Sequence, residues 1–292
     1  MSNILREIES QPTVWREAIA LLPEVASKLP PAGGRVALIG CGTSYYMAQA
    51  AGVLRESRGL GESDAFVASE MPPDRGYELV VAISRSGTTT EVLRALDALP
   101  PGTRSLAITA VPETPVVAAA TDAIVLASAD ESSIVQTRFA TTALTLLRAH
   151  FGDALEPAIA DTEEALAGPL SVEPSEFDQF VFLGAGWTVG LAAEAALKLR
   201  EACGAWTEAY PAMEYRHGPI SVAGNRTLVW ILGEVERDLI DDIRATGAAI
   251  VENRVDPVAD LVTVQRAAVA LAEARGLDPD RPRHLTRSVV LP

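Results

Sequence analysis

Cysteine is nearly missing: of 292 residues only Cys41 and Cys203 carry a thiol. Two thiols make neither a disulfide framework nor a zinc ligand set, and a reduced, cytoplasmic compartment is the expectation. Histidine is as sparse, with only His150, His217 and His284; no metal and no cofactor are expected. Lysine is confined to Lys28 and Lys198 against 22 arginines (24 − 2), a compositional habit that makes each retained lysine worth following. No apolar run is long enough to span a bilayer, and the opening "MSNILREIESQPTVW" lacks the basic-then-apolar order of a signal peptide. Positive charge is short by a wide margin, with 24 basic against 39 acidic residues and a net charge of −15. Bulk repulsion therefore argues against nucleic acid or an anionic membrane as partner. A local nest of N–H groups can still hold an anionic metabolite against that field.

What is present is alternation. "RVALIG" leads into "GTSYYMAQAAGVLRES", "ELVVAIS" into "TTTEVLRALDAL", and "RSLAITA" and "DAIVLAS" follow after proline and glycine breaks. β-branched runs interleaved with amphipathic helices predict a parallel sheet with crossover helices. The pattern restarts at "QFVFLGAG", followed by the helix "TVGLAAEAALKLREAC" and the strands "TLVWILG" and "AAIVENR". Gly40-Cys41-Gly42 and Gly184-Ala185-Gly186 each close a strand and open a helix. The fold class is therefore α/β, with two doubly wound parallel-sheet subdomains of flavodoxin-like type related by internal duplication. The expected divisions are an N-terminal helical segment over 1–30 and a first subdomain over 31–152. A helical connector over 153–176 and a second subdomain with a tail over 177–292 complete the chain.

The stretch "SRSGTTTE" gathers Ser84, Ser86, Thr88 and Thr89 around Gly87 where a strand becomes a helix. Thr88 and Glu91 have the spacing of a capping box, which predicts a helix starting near Thr88 or Thr89. Unpaired amides, the positive end of the helix dipole and hydroxyl donors together make a phosphate cradle. A capped turn with incidental hydroxyls is the equally simple reading of this stretch alone. Gly42, Thr43 and Ser44 repeat the arrangement earlier, and Tyr45 stands where a dinucleotide fingerprint requires glycine. Two hydroxyl-rich helix mouths with no Walker lysine favour a small phosphorylated molecule over a nucleotide.

Glu194, Lys198 and Glu201 fall at i, i+4 and i+7 on one helix face. Such sets are ordinarily solvated ion pairs. Here the surrounding Ala and Leu predict burial, where a partly desolvated carboxylate can serve as a base with lysine setting its charge. His217 precedes Gly218-Pro219, which holds it in a loop.

These segments, with "REIESQP", "ESSIVQTRFATT" and the tail "RPRHLTRSV", resemble the sugar isomerase (SIS) domain family. The similarity is to the isomerase half of glucosamine-6-phosphate synthase, the amino-sugar-phosphate deaminase/isomerases and the fructosamine-phosphate deglycases. The resemblance implies that Thr43, Ser44, Ser84, Arg85, Ser86 and Thr89 surround a sugar 6-phosphate, with Gln136 near the sugar hydroxyls. It implies Glu201 as the base moving a proton between C1 and C2, Lys198 as a supporting charge, and His217 as the ring-opening residue. In the synthase that histidine reaches across from a neighbouring subunit, which implies a homodimer with shared sites. Three departures stand out: Arg85 where glutamine is usual, His284 where asparagine is usual, and Arg287 where the synthase has a Schiff-base lysine. The second half is also shorter than is usual for the family. No glutaminase segment with an N-terminal cysteine lies in this sequence, so synthesis from glutamine is not expected of it alone. The expected activity is isomerisation of an amino-sugar 6-phosphate with ammonia release. A fructosamine-6-phosphate deglycase and a non-catalytic sugar-phosphate-binding regulator are the alternatives.

Overall fold

In a computed structural model, residues 2–72 and 74–291 are described, and they form two compact units. The described residues of the first unit lie within 10–132, 136–155 and 286–291. Its sheet holds β1 (Val36–Gly40), β2 (Ser63–Val67), β3 (Leu79–Ile83), β4 (Arg104–Thr109) and β5 (Asp122–Val125), all parallel in the order β2-β1-β3-β4-β5. Around it are α2 (Gln11–Val25), α3 (Thr43–Ser57), α4 (Thr90–Asp97), α5 (Pro115–Ala119) and α6 (Arg138–His150). Every residue of β1 and β3 is buried, which is why these strands read as unbroken apolar runs rather than as alternation. β2 was not legible in the sequence because "SDAFV" is an edge strand, only half-buried along its length. The wholly buried Arg55 guanidinium ties down the loops that enter β1 and β2. It donates to the carbonyls of Pro31 (2.6 Å), Gly34 (2.8 Å) and Glu62 (3.0 Å).

The second unit comprises residues up to Glu9, 133–135 and 156–285. It contains α1 (Asn3–Glu9), α7 (Glu156–Ala167), β6 (Gln179–Gly184), α8 (Thr188–Cys203), β7 (Thr207–Pro211), β8 (Thr227–Leu232), α9 (Arg237–Ala245), β9 (Ala249–Glu252) and α10 (Pro257–Ala274). The parallel order β7-β6-β8-β9 repeats β2-β1-β3-β4 of the first sheet, in agreement with the duplication expected from the two Gly-x-Gly turns. Its core sets Val181, Leu183, Val229 and Ile231 against Leu239, Ile240 and Ile243 of α9.

The units are not contiguous in sequence. The N-terminal helical segment splits at Ser10, with α1 joining the second unit and α2 the first. Asp280 of the second unit fixes α1 by accepting the amides of Asn3 (2.7 Å) and Ile4 (2.9 Å). In the stretch expected as a helical connector, α7 packs on α10 within the second unit. The tail from Thr286 belongs to the first unit, because its backbone finds partners at the start of α4. Among the described residues no helix is long and apolar enough to cross a membrane.

Candidate functional site

Neighbouring strands β1 and β3 run in register, Val36 opposite Leu79 and Ile39 opposite Ala82. The chain departs from them in opposite senses, so the turns beyond their carboxyl ends flank a switch-point crevice. After β1 the backbone passes Gly42 (φ 53°) into α3, whose first residues Thr43 and Ser44 are buried. A side chain at Gly40 would press within 2.6 Å of the Ser44 backbone, so only glycine lets the helix start this close to the strand. After β3 come the buried Ser84 and Arg85, then Ser86 to Thr89, and α4 begins at Thr90.

The turn is held by Gly87 (φ 64°), where any Cβ would collide with the Thr114 side chain. The capping box expected from Thr88 and Glu91 is not formed. Thr89 is the N-cap, and its side chain makes no capping bond. Ser86 instead turns back on the loop, its Oγ accepting the Thr88 amide at 3.2 Å.

Two hydroxyls here are buried without a hydrogen-bond partner, Ser84 Oγ and Thr114 Oγ1. Buried polar atoms are rarely left unpaired, and each such orphan costs on the order of 1–3 kcal/mol. Oriented donors lacking acceptors are what an incoming oxyanion would satisfy. The other donors are held by the tail. Ser288 Oγ lies 3.1 Å from Ser86 Oγ and 2.9 Å from Thr88 Oγ1, and the Val289 carbonyl accepts the first amide of α4 at 3.2 Å.

Arg85 is engaged within the protein. Its guanidinium is buried, faces Glu131 at 3.5 Å and donates to the Arg287 carbonyl at 3.0 Å. Burial draws its pKa down, Glu131 opposes that shift, and the nearby Arg287 reinforces it. The other oxygen of Glu131 accepts the amides of Thr137 (2.6 Å) and Arg138 (2.8 Å), capping α6. Arg287 is anchored to the Asp130 carboxylate and the Glu131 carbonyl. Gln136 lies half-buried just before α6. Sequence reasoning missed Thr114, Glu131 and Ser288. Ser288 could have been found from its hydroxyl beside Arg287, whereas Thr114 and Glu131 gave no signal.

In the second unit the Glu194–Lys198–Glu201 set is a buried ion cluster. Lys198 Nζ lies 3.2 Å from Glu194 and 2.7 Å from Glu201. Burial alone would lower the Lys198 pKa, but the two carboxylates outweigh it and hold the ammonium above its ordinary value. Lys198 is therefore a fixed charge rather than a free amine. Glu194 and Lys198 are sealed off, while the Glu201 side chain is 20% exposed. Glu201 opens onto a cavity of about 190 Å³ walled also by Arg200, Arg281 and Arg283. His217 is exposed at the end of a 3-10 turn over Ala212–Arg216, its amide on the Glu214 carbonyl (2.9 Å) and its ring without a hydrogen-bond partner. His284, at φ 61°, is likewise exposed.

No protein-family model matches the chain. It is 26% identical over 337 residues to the glutamine–fructose-6-phosphate aminotransferase [isomerizing] of Methanothermobacter thermautotrophicus, covering 99% of this chain and 57% of that protein. With the enzyme of the same name from Neisseria meningitidis it shares 31% over 320 residues, 88% of this chain and 51% of that one. The chain thus spans a little over half the length of these curated relatives. Among solved structures, glucosamine-6-phosphate deaminase from Thermotoga maritima superposes with a TM-score of 0.85 at 27% identity, over 99% of this chain and 100% of that one. Tagatose-6-phosphate ketose/aldose isomerase from Escherichia coli gives 0.79 at 20%, over 98% and 96%, a likeness of fold alone. The chain has the α/β fold of the SIS type, and its homologues are sugar-phosphate enzymes.

Proposed function

We propose that this protein is a phosphosugar isomerase acting on an amino-sugar 6-phosphate, coupling aldose–ketose isomerisation to ammonia release. The observation that carries this reading is the pair of hydroxyls on Ser84 and Thr114, buried and unpartnered beside the Gly87 turn at the switch point of β1 and β3. The hydroxyls of Thr43, Ser44, Ser84, Ser86 and Thr89 bind the 6-phosphate, Ser86 and the first amide of α4 exchanging their contacts with Ser288 and Val289 of the tail for it, and the start of α4 adds its dipole. Gln136 meets the sugar hydroxyls. His217 assists ring opening. Glu201, the partly exposed carboxylate, moves the C2 proton to C1 through an enolamine, and Lys198, 2.7 Å away, fixes its position. Water then adds to the imine left at C2 and ammonia departs. In sum, amino-aldose phosphate and water give ketose phosphate and ammonia. Arg85, which also holds Glu131 and the Arg287 carbonyl behind the loop, adds its charge to the phosphate site.

The test is ammonia release from glucosamine 6-phosphate, followed alongside ketose formation. Both products at equal rates support the reading, and sugar-phosphate binding without either product overturns it. A second reading, a fructosamine-6-phosphate deglycase, draws on the arginine-walled cavity beside Glu201, which offers room for a carboxylate-bearing substituent. Release of an amino acid instead of ammonia selects it. Homodimerisation, with His217 serving a neighbouring subunit, is read out by sedimentation.

A further inference from the structure

The second sheet has a switch point of its own, between β6 and β8. Beyond the carboxyl ends of β6, β8 and β9 lies a cavity of about 790 Å³, and neither Glu201, Lys198 nor His217 is in its wall. Small-molecule pockets run to roughly 300–1,000 Å³, so this one is roomy enough for a metabolite that the reading above leaves unused.

Its chemistry is unlike that of the hydroxyl-rich crevice. The turn after β6 brings one hydroxyl, Thr188, and it is occupied: Oγ1 accepts the Ala185 amide at 2.9 Å and donates to the Ala185 carbonyl at 3.0 Å. Charges of both signs stand in place of hydroxyls. Arg237 and Glu252 face each other at 3.7 Å, while Glu234 and Arg254, also in the wall, make no ion pair or hydrogen bond. Helices α8, α9 and α10 begin at Thr188, Arg237 and Pro257, all wall residues, which adds three positive helix ends. Asn253 in the wall is fixed rather than mobile. Its amide donates to Asp260 at 2.7 Å, and this carboxylate, 1% exposed, also takes the Trp230 indole N–H at 3.0 Å. The half-buried Trp187 supplies an apolar wall.

A simple anion would meet Glu234 and Glu252, and a simple cation would meet Arg237 and Arg254. We infer that this crevice binds a small zwitterion, an oxyanion and an ammonium on one molecule. Arg254 and the helix ends take the oxyanion, Glu234 takes the ammonium, and Trp187 packs on the apolar atoms between. A free amino acid and an amino-sugar phosphate both carry this chemistry.

Trp187 is one of four tryptophans, so its fluorescence is read as the difference between the native chain and Trp187→Phe. Glucosamine 6-phosphate and free amino acids, one at a time, are titrated against glucose 6-phosphate and inorganic phosphate as controls lacking the ammonium. A saturable change confined to a zwitterion is expected, weakened about tenfold or more by Arg254→Ala and by Glu234→Gln. Response to glucosamine 6-phosphate alone identifies an amino-sugar phosphate, and response to an amino acid alone identifies that source. The change persists in Ser84→Ala/Ser86→Ala, whose ammonia release is measured on the same samples, so failure of the proposed reaction and failure of this site are told apart. No Trp187-dependent saturation by any zwitterion, or equal affinity for glucose 6-phosphate, overturns the inference.

Discussion

Glu201 and Asp260 are two carboxylates of the second unit with different surroundings, the one 20% exposed in its side chain and the other 1% exposed. Glu201 is anchored by Lys198 at one oxygen yet partly open, so it can reach a substrate from a fixed position. Glu201→Gln is expected to lower turnover by about 10²–10⁴-fold while sugar-phosphate binding persists, and full turnover in that variant rules the assignment out. Lys198→Met strips the charge partner from Glu194, which is 0% exposed. The cost is of order 3–5 kcal/mol, checked by urea unfolding. Asp260 is pushed up from 3.8 to about 6 by burial, against the hydrogen bonds from Asn253 and Trp230. A raised folded-state pKa means its contribution is fully present below pH 4 and is lost as pH climbs through 6, by about 3 kcal/mol. Asp260→Asn should flatten that part of the stability profile between pH 4 and 7. An unchanged slope would place the effect elsewhere.

Among the elements, the turn between β3 and α4 shows what pattern reading reaches and where it stops. The hydroxyls, the glycine and a helix close behind were legible, since each is a local preference. The helix start was not. The spacing of Thr88 and Glu91 promised a capping box, but Ser86 takes the Thr88 amide and the tail takes the first helical amide, at distances of 3.2 Å each. A cap supplied by a segment some 200 residues away leaves no trace in a local window. The turn itself is tightly specified: Gly87→Ala puts a methyl into Thr114 at a positive φ. It is expected to cost about 1–3 kcal/mol and to weaken phosphate binding together with stability. Unaltered melting and unaltered phosphate affinity would refute the tight-turn account.

For the whole molecule, a net charge of −15 means any sugar phosphate is held by local donors against the overall field. Such a ligand at a hundred times its dissociation constant should add about 2.7 kcal/mol of stability, visible as a rise in melting temperature that NAD(P) does not reproduce. The sequence by itself determined the alternation of strands and helices, the two Gly-x-Gly turns, the hydroxyl-rich helix mouths and the buried face of α8. All of these follow from periodicity and turn chemistry within a few residues. Only the tertiary structure decided that α1 packs with the second unit and that Arg85 turns to Glu131. The same holds for Ser288 meeting Ser86 and for the β6–β8 crevice lined by charges of both signs. Those outcomes depend on groups far apart in sequence competing for the same buried donors and acceptors, and that competition is settled only when the chain is folded.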